Sequence, residues 1–133
     1  MKNIIFLMGL VLMSVIGCTQ TAKDYTDQGT AKSKLQDFQG AMNAYNKAIE
    51  LDTLYEDAYT GRGAVKALLY DYRGALDDLN KAISINSKSK YAYYDRGIVK
   101  INMGMKESGC LDLSKAGELG DMSAYNAIKQ LCN

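Results

Sequence analysis

The sequence repeats itself with a period of 34 residues, and this periodicity restricts the possible folds more than any other feature. In the first half of each unit the recurring residues are Tyr25, Tyr59 and Tyr93, Gly29, Gly63 and Gly97, and Lys32, Lys66 and Lys100. In the second half they are Ala41, Ala75 and Gly109, Tyr45, Leu79 and Leu113, Lys47, Lys81 and Lys115, and Ala48, Ala82 and Ala116. A period of about 20 to 50 residues indicates a solenoid whose units bury their apolar faces against one another.

Each unit contains two segments with the apolar spacing of a helix. In the middle unit Ala75, Leu79 and Ala82 share one helical face, and the small Gly63 lets the paired helix approach closely. The spacing predicts helices at 23–35, 38–51, 57–70, 72–85, 91–103 and 106–118. Asp121 is placed to cap a final helix at about 122–132. The residues of this helix that we expect to turn inward are Ala124, Ile128 and Leu131.

The repeat resembles the tetratricopeptide repeat over about residues 22–120. In the middle unit the matching residues are Tyr59, Gly63, Ala75, Leu79 and Ala82. The resemblance implies an all-α, right-handed superhelical solenoid of three helix pairs, at about 22–55, 56–89 and 90–120, with a C-terminal capping helix at 121–133. Departures from the family pattern, which we expect to loosen the packing slightly, are Gln28, Arg62 and Arg96, Lys32, Lys66 and Lys100, Gly109, and Thr53, Ser87 and Asp121.

The chain begins with a charged residue and a short apolar run, as secretory signals do. Lys2 precedes the apolar residues 4–16, a run shorter than the roughly 20 residues that span a bilayer. The run ends in Val15-Ile16-Gly17-Cys18, which resembles the lipobox of bacterial lipoproteins. The resemblance implies that residues 1–17 are cleaved off as a signal peptide and that Cys18 is acylated. The alternative is an ordinary signal, or an uncleaved anchor, in which Cys18 is incidental.

An acylated Cys18 would place the protein in the bacterial cell envelope, held by lipid. Thr19 follows the cysteine instead of aspartate, and the resemblance then implies the outer membrane, with the protein facing the periplasm. Residues 18–21 form a short tether whose three or four residues reach about 10–14 Å, at about 3.3–3.6 Å per residue. We therefore expect the domain to lie close to its membrane.

Composition excludes several classes of function. The 133 residues include no histidine, and the three cysteines at 18, 110 and 132 lie far apart, which removes most zinc sites and all histidine-based catalysis. The net charge is +1, and without Lys2 the basic and acidic residues balance at 15 each, so nothing favours nucleic acid as a partner. No phosphate loop, nucleophile motif or metal-ligand cluster is present. The sequence predicts neither an enzyme nor a cofactor, metal or small-molecule substrate, and Asp77 and Asp78 are interpreted as a solvated helix face.

The first helix of each pair lines a concave groove in a solenoid of this kind. Helical spacing predicts that the groove residues are Lys23, Thr26, Asp27, Thr30, Asp57, Thr60, Ala64, Leu68, Tyr91, Tyr94, Asp95, Ile98, Ile101 and Asn102, with Ser33, Lys34, Gly61 and Ala67 beside them. These side chains change from polar in the first unit to apolar in the third. Some family members grip a peptide's C-terminal carboxylate with Lys, Asn and Arg. Thr26, Thr30 and Gly61 occupy those places here, so no such clamp is predicted.

An apolar or aromatic peptide contact fits the third unit better, because Tyr91 and Tyr94 supply large contact areas with little entropy to lose. The alternative for Ile98, Ile101, Ala64 and Ala67 is that they only pack adjacent helices together. Three tyrosines are predicted to be structural, and three lysines to form a solvated outer face. The tyrosines are Tyr25, Tyr59 and Tyr93, and the lysines are Lys47, Lys81 and Lys115.

Cys110 and Cys132 fall in the last second helix and in the capping helix. An exported chain meets an oxidising compartment, where a disulfide between them would stabilise the fold by roughly 3 kcal/mol. The alternative is two buried thiols that act as small apolar fillers.

The function predicted from all these features is a membrane-anchored adaptor that binds a protein or peptide partner, another envelope protein, in its groove. The alternative is a structural subunit of a larger envelope assembly that uses its ends or outer faces.

Overall fold

The computed structural model describes residues 19–133, which form helices joined by short turns and contain no strand. The helices are α1 (Ala22–Lys34), α2 (Phe38–Leu51), α3 (Glu56–Leu68), α4 (Tyr72–Ile85), α5 (Lys90–Asn102), α6 (Lys106–Glu118) and α7 (Met122–Leu131). Each predicted helix is present, with limits that differ from the predicted ones by two residues at most, and the all-α prediction is confirmed. In this part of the chain no helix has the length and apolarity needed to cross a membrane. The segment 1–17 and Cys18 lie outside the described residues, so their roles stay predictions.

Side-chain caps fix where most of the helices begin. Thr21 and Asp24 form a capping box at the start of α1, where each side chain accepts a hydrogen bond from the other residue's backbone amide, at 3.2 and 2.7 Å. Asp37 and Asp71 cap α2 and α4 from equivalent positions, each accepting from the backbone amide three residues later at 2.9 and 3.0 Å. Asp121 caps α7, as the sequence predicts. Such a cap stabilises a helix by about 1 kcal/mol.

The turn inside each helix pair contains one residue in the left-handed backbone region. Gln36 and Tyr70 occupy this position in the first two units with φ of 61° and 63°, and Gly104 occupies it in the third with φ of 84°. A side chain costs about 1–2 kcal/mol in this conformation, whereas glycine adopts it freely. Only the third of these turns is therefore free of strain.

Small residues let the two helices of a pair come close together. A Cβ atom added to Gly63 in α3 would lie 2.9 Å from Cγ of Leu79 in α4. In the third pair a Cβ on Gly97 would lie 2.8 Å from the backbone oxygen of Gly109, and a Cβ on Gly109 would lie 2.6 Å from that of Gly97. The expectation that Gly109 loosens the packing is therefore wrong, since α5 and α6 touch backbone to backbone at this point.

The apolar core continues from one unit into the next. One buried cluster joins α1, α2 and α3, and its members are Ala22, Ala41, Tyr45, Ala48, Ala58 and Val65. A second joins α3, α4 and α5, and its members are Tyr59, Ala75, Leu79, Ala82, Ala92 and Val99. Each cluster takes residues from two successive pairs, so no unit completes its core alone.

The capping helix α7 covers the last unit. Ala124 and Ala127 are buried and Ile128 is partly buried, but Leu131 is 38% exposed. The prediction that Leu131 turns inward is wrong, because the buried stripe ends one turn before it. Cys132 follows directly and forms a disulfide with Cys110 of α6. The two Cα atoms are 5.9 Å apart, within the range of about 4.4–6.8 Å that an unstrained bridge requires.

Buried ion pairs join the two helices of a unit, and a hydrogen bond from the same arginine reaches the preceding unit. Asp78 of α4, whose side chain is 6% exposed, accepts two hydrogen bonds from Arg62 of α3 at 2.8 and 2.7 Å and pairs with Lys66 at 2.9 Å. Arg62 also donates to Asn46 of α2 at 2.9 Å, so one guanidinium links three helices. The same network recurs one period later in Arg96, Asp112, Lys100 and Asn80. The interpretation of Asp78 as part of a solvated face is therefore wrong, and the polar departures in these two units connect helices instead of loosening them.

Candidate functional site

A groove on the face formed by α1, α3 and α5 contains two adjoining cavities. The first has a volume of about 510 Å³. Its walls come from these three helices and from one residue of α2. They are Thr26, Asp27, Thr30, Ser33, Lys34, Tyr45, Asp57, Thr60, Gly61, Ala64, Tyr91 and Asp95. Most of these side chains carry a polar group, so this end of the groove offers hydrogen-bonding and charged contacts.

The second cavity lies between α3 and α5 and has a volume of about 400 Å³. Its walls are Ala64, Ala67, Leu68, Tyr94, Asp95, Ile98, Val99 and Asn102. Ala64 and Asp95 line both cavities, so the two form one continuous groove. The lining changes from polar to apolar along it.

The structure brings twelve of the fourteen predicted groove residues to these walls. They are Thr26, Asp27, Thr30, Asp57, Thr60, Ala64, Leu68, Tyr91, Tyr94, Asp95, Ile98 and Asn102. Lys23 does not line either cavity, and its ammonium group pairs with Asp27 at 2.5 Å. Ile101 lies against Gly109 of α6, where a Cβ would come within 2.6 Å of the isoleucine Cγ1. The contacts of Ile101 are therefore those of the alternative interpretation, in which this side chain packs adjacent helices together. That the other twelve residues bind a partner stays a prediction.

Tyr45 is the wall residue that the sequence analysis missed, because it belongs to a second helix. Its ring passes between Gly29 of α1 and Gly61 of α3, where added Cβ atoms would lie 2.7 and 2.5 Å from ring carbons. Its hydroxyl group is 3.1 Å from the Thr30 hydroxyl. Leucine stands at the equivalent position of the other two units. The sequence feature that could have indicated this contact is the pairing of a larger side chain at position 45 with a glycine at position 61, where the other units have leucine and aspartate.

Asp95 lines both cavities, and its surroundings disfavour the charged form of its carboxyl group. It forms no ion pair or hydrogen bond with another side chain of residues 19–133. Burial, and then the charge of Asp121 at the start of α7, raise the pKa of Asp95 to about 7. The group is thus a carboxyl that changes its charge near neutral pH on the floor of the groove.

A second carboxylate, Asp57 of α3, lines the first cavity with Asp95. Burial raises the pKa of Asp57, and the charges of Glu56 and Asp27 raise it further. Glu56 is occupied by two hydroxyl groups, accepting from Thr60 at 2.6 Å and from Ser89 at 2.5 Å. Among the described residues that line the two cavities, Lys34 is the sole basic one, against Asp27, Asp57 and Asp95. The groove therefore has an excess of acidic side chains.

The structural tyrosines and the outer lysines are distributed as follows. Tyr59 is buried in the second core cluster, while Tyr25 and Tyr93 are partly buried. Lys47 and Lys115 are about half exposed and pair with acidic residues of their own helices, Glu50 and Glu118.

Within residues 19–133 no group of three or more acidic or cysteine side chains is close enough together to hold a metal ion. The absence of catalysis stays a prediction.

No protein-family model matches the sequence, and no curated protein matches it. Solved structures of tetratricopeptide repeat (TPR) domains do match. The first TPR domain of Spaghetti (RPAP3), bound to the HSP90 peptide SRMEEVD, has a TM-score of 0.78 at 23% identity over 85% of this chain and 91% of that one. The TPR domain of Arabidopsis OM64 has a TM-score of 0.78 at 26% identity over 84% of this chain and 93% of that one. The TPR2B domain of yeast Sti1 in its pHsp70 complex has a TM-score of 0.74 at 25% identity, over 83% and 91%.

These similarities cover 83–85% of the chain. The chain therefore has the all-α helical-repeat fold of TPR domains, as its repeat predicts.

Proposed function

We propose that this protein is a lipid-anchored adaptor of the bacterial cell envelope that binds a segment of a partner protein in its concave groove. The observation that supports this most directly is the continuity of the two cavities through Ala64 and Asp95, which gives an open groove along the first helices. Two of the similar TPR domains are complexes, one with the HSP90 peptide SRMEEVD and one with pHsp70. A protein or peptide is therefore the class of partner that the fold favours.

The side chains along the apolar half of the groove suit such a partner. Leu68 is 56% exposed, and Tyr94 and Ile98 line the apolar cavity partly buried. Tyr91, in the wall of the adjoining cavity, is 61% exposed. Aromatic side chains with two rotatable bonds lose little entropy on binding and often dominate the energy of an interface. Burial of these groups by a partner would remove apolar surface from water, at about 25 cal/mol per Å².

The anchor is proposed from the sequence around Cys18. The described chain begins at Thr19, and the capping box that starts α1 begins at Thr21. An acyl group on Cys18 would thus be separated from the first helix by three residues, a reach of about 10 Å. The groove of an anchored molecule would face partners at or near the periplasmic side of the outer membrane.

A second candidate is a structural subunit that assembles through the last unit. Leu111 of α6 and Met122 at the start of α7 are each 73% exposed, and Tyr125 of α7 is 54% exposed. Large apolar side chains at the end of a solenoid favour contact with another protein. This candidate predicts that partners depend on α6 and α7 and not on the groove.

Affinity capture after brief crosslinking in the native envelope separates the two candidates. The groove variant is Tyr94→Ala with Ile98→Ala, and the matched control is Leu111→Ala with Met122→Ala, which removes exposed apolar groups elsewhere. Circular dichroism first establishes that both variants are folded. We expect one partner to be captured by the wild type and by the control and lost from the groove variant. Loss from the control alone would favour the structural subunit.

A further inference from the structure

Two carboxylates in the groove have no basic partner among residues 19–133. Asp57 and Asp95 extend from α3 and α5 into the same cavity, and neither is within ion-pair distance of a lysine or arginine. By contrast, Asp78 and Asp112, the buried carboxylates of the second helices, each pair with both an arginine and a lysine. Asp57 and Asp95 thus differ from the buried carboxylates of the second helices in having no cation beside them.

The surroundings of these two carboxylates would favour a cation. The ionised groups that raise their pKa values are themselves acidic, namely Glu56 and Asp27 near Asp57 and Asp121 near Asp95. Lys23 opposes this at Asp57 with a smaller effect, and it is already paired with Asp27. A positive group placed between the acids would be attracted by all of them, while a negative group would be repelled.

An apolar cavity lies directly beside the acidic one. Asp95 lines both, and Ala64, Ala67, Leu68 and Ile98 form most of the apolar wall. A volume of about 400 Å³ holds one or two large side chains. Gly61, at the position equivalent to Asp27 and Asp95 in the other units, contributes no charged side chain to the wall beside Asp57 and Asp95.

We propose that the groove selects a peptide segment in which a lysine or arginine stands next to a large apolar residue. The basic group lies between Asp57 and Asp95, and the apolar side chain fills the cavity of Ala64, Ala67 and Ile98. This inference rests on the proposed function, because it names the chemistry of the partner in the same groove. In a carboxylate clamp, basic side chains of the groove bind an acidic group of the peptide. Here acidic side chains of the groove would bind a basic group of the peptide, and the lining has no paired cations for a clamp.

Selection from a library of random twelve-residue peptides displayed on phage tests the inference. The bait is the full processed protein in detergent, and the two comparison baits are Asp57→Asn with Asp95→Asn, and Tyr94→Ala with Ile98→Ala. We expect the wild type to enrich lysine or arginine adjacent to an apolar residue. The double asparagine variant should lose the basic enrichment and keep the apolar one.

The selected peptide that binds best is then synthesised with a fluorescent label and titrated by anisotropy. Asp95→Asn should weaken its binding about tenfold or more, because it removes one partner of a desolvated charge pair. Asp77→Asn, a change at an exposed position of α4, should leave the affinity unchanged. Replacing the basic residue of the peptide with glutamate should remove measurable binding.

The outcomes distinguish this inference from the proposed function. Enrichment of acidic or uncharged peptides whose binding needs Tyr94 and Ile98 would overturn the basic specificity and leave the groove as the binding surface. Peptides that bind the wild type and the Tyr94→Ala with Ile98→Ala variant equally, or the absence of any selected peptide, would overturn both.

Discussion

Arg62 and Asp78 form a two-pronged hydrogen-bonded ion pair, with Nε donating to Oδ2 at 2.8 Å and Nη2 donating to Oδ1 at 2.7 Å. Lys66 supplies a second cation to the same carboxylate at 2.9 Å. In the sequence analysis Arg62 and Lys66 are departures from the family pattern, and Asp78 is interpreted as part of a solvated helix face. Neither interpretation predicts contacts among these three residues. Such pairing offsets the cost of burying the carboxylate and fixes the orientation of α3 against α4.

Replacement of Asp78 by alanine should destabilise the fold strongly. Arg62 and Lys66, whose side chains are 20% and 21% exposed, would keep their charges without a carboxylate to pair with. We expect the free energy of unfolding to fall by about 2–4 kcal/mol, as when one member of a buried pair is removed. The measurement is urea unfolding followed by circular dichroism. The control Asp77→Ala changes an exposed neighbour and should alter stability by less than about 0.5 kcal/mol. Equal losses in the two variants would contradict the network's role.

The sequence predicted the fold and most of the groove wall, because both follow from the period. Once Gly63 and Leu79 set the register, helical spacing placed Thr60, Ala64 and Tyr94 on the concave side. The ion pairs were not predictable in this way. They depend on which two helices face each other at Arg62, and residue type alone does not distinguish Asp78 from its exposed neighbour Asp77.

Tyr45 escaped prediction for a related reason. The repeat assigns its position to the core, as it does for Leu79 and Leu113, and the aromatic ring is in fact 3% exposed. Its larger ring nevertheless extends past Gly29 and Gly61 to the floor of the groove. Reach of this kind depends on the size of the side chain and the space opposite it, which a periodic pattern does not record.

Gly61 should therefore tolerate a methyl group poorly while Tyr45 is present. A Cβ at position 61 would lie 2.5 Å from the tyrosine ring, so Gly61→Ala forces the buried ring to move. We expect a loss of about 1–3 kcal/mol in the free energy of unfolding. In a Tyr45→Leu background, which reproduces the other two units, Gly61→Ala should cost much less. A double-mutant cycle from urea unfolding gives the coupling, and a coupling near zero would show that the two residues do not compete for space.

The disulfide between Cys110 and Cys132 should stabilise the capping helix on the last unit. The bond closes a loop with a sequence separation of 22, for which loop-closure entropy gives about 3 kcal/mol. Reduction with dithiothreitol should lower the urea midpoint of the wild type. The variant Cys110→Ser with Cys132→Ser should unfold at the lower midpoint with or without reductant. Two titratable thiols in the oxidised, folded wild type would contradict the bond.

Cys18 should be the site of lipid attachment. Expression of the full chain in a bacterial host with radiolabelled palmitate should give a labelled, shortened protein in the membrane fraction. Cys18→Ser should carry no label, because the acceptor thiol is missing, and should keep the longer, unprocessed length. Cys110→Ser serves as the matched cysteine control and should be labelled like the wild type. Label that persists in the Cys18→Ser variant would remove the basis for the proposed anchor.

Asp95 should make the stability of the domain depend on pH. Its folded-state pKa of about 7 is higher than the ordinary value of 3.8, so the folded chain holds this proton more tightly than the unfolded chain. The stabilisation is complete below about pH 4 and is lost as the pH rises through 7. A pKa near 7 in place of one near 4 corresponds to about 4 kcal/mol, and partial access of water lowers this to about 2 kcal/mol.

Asp95→Asn removes this ionisation and keeps the shape of the side chain. The variant should therefore be about 2 kcal/mol more stable than the wild type at pH 8 and equal to it at pH 4. Urea unfolding of both proteins across this range measures the difference, and Asp77→Asn, a change at an exposed position, is the matched control. A gain from Asp95→Asn of the same size at pH 4 and pH 8 would mean that the carboxyl does not titrate in the folded groove. In that case its cost would come from shape or hydrogen bonding and not from its charge.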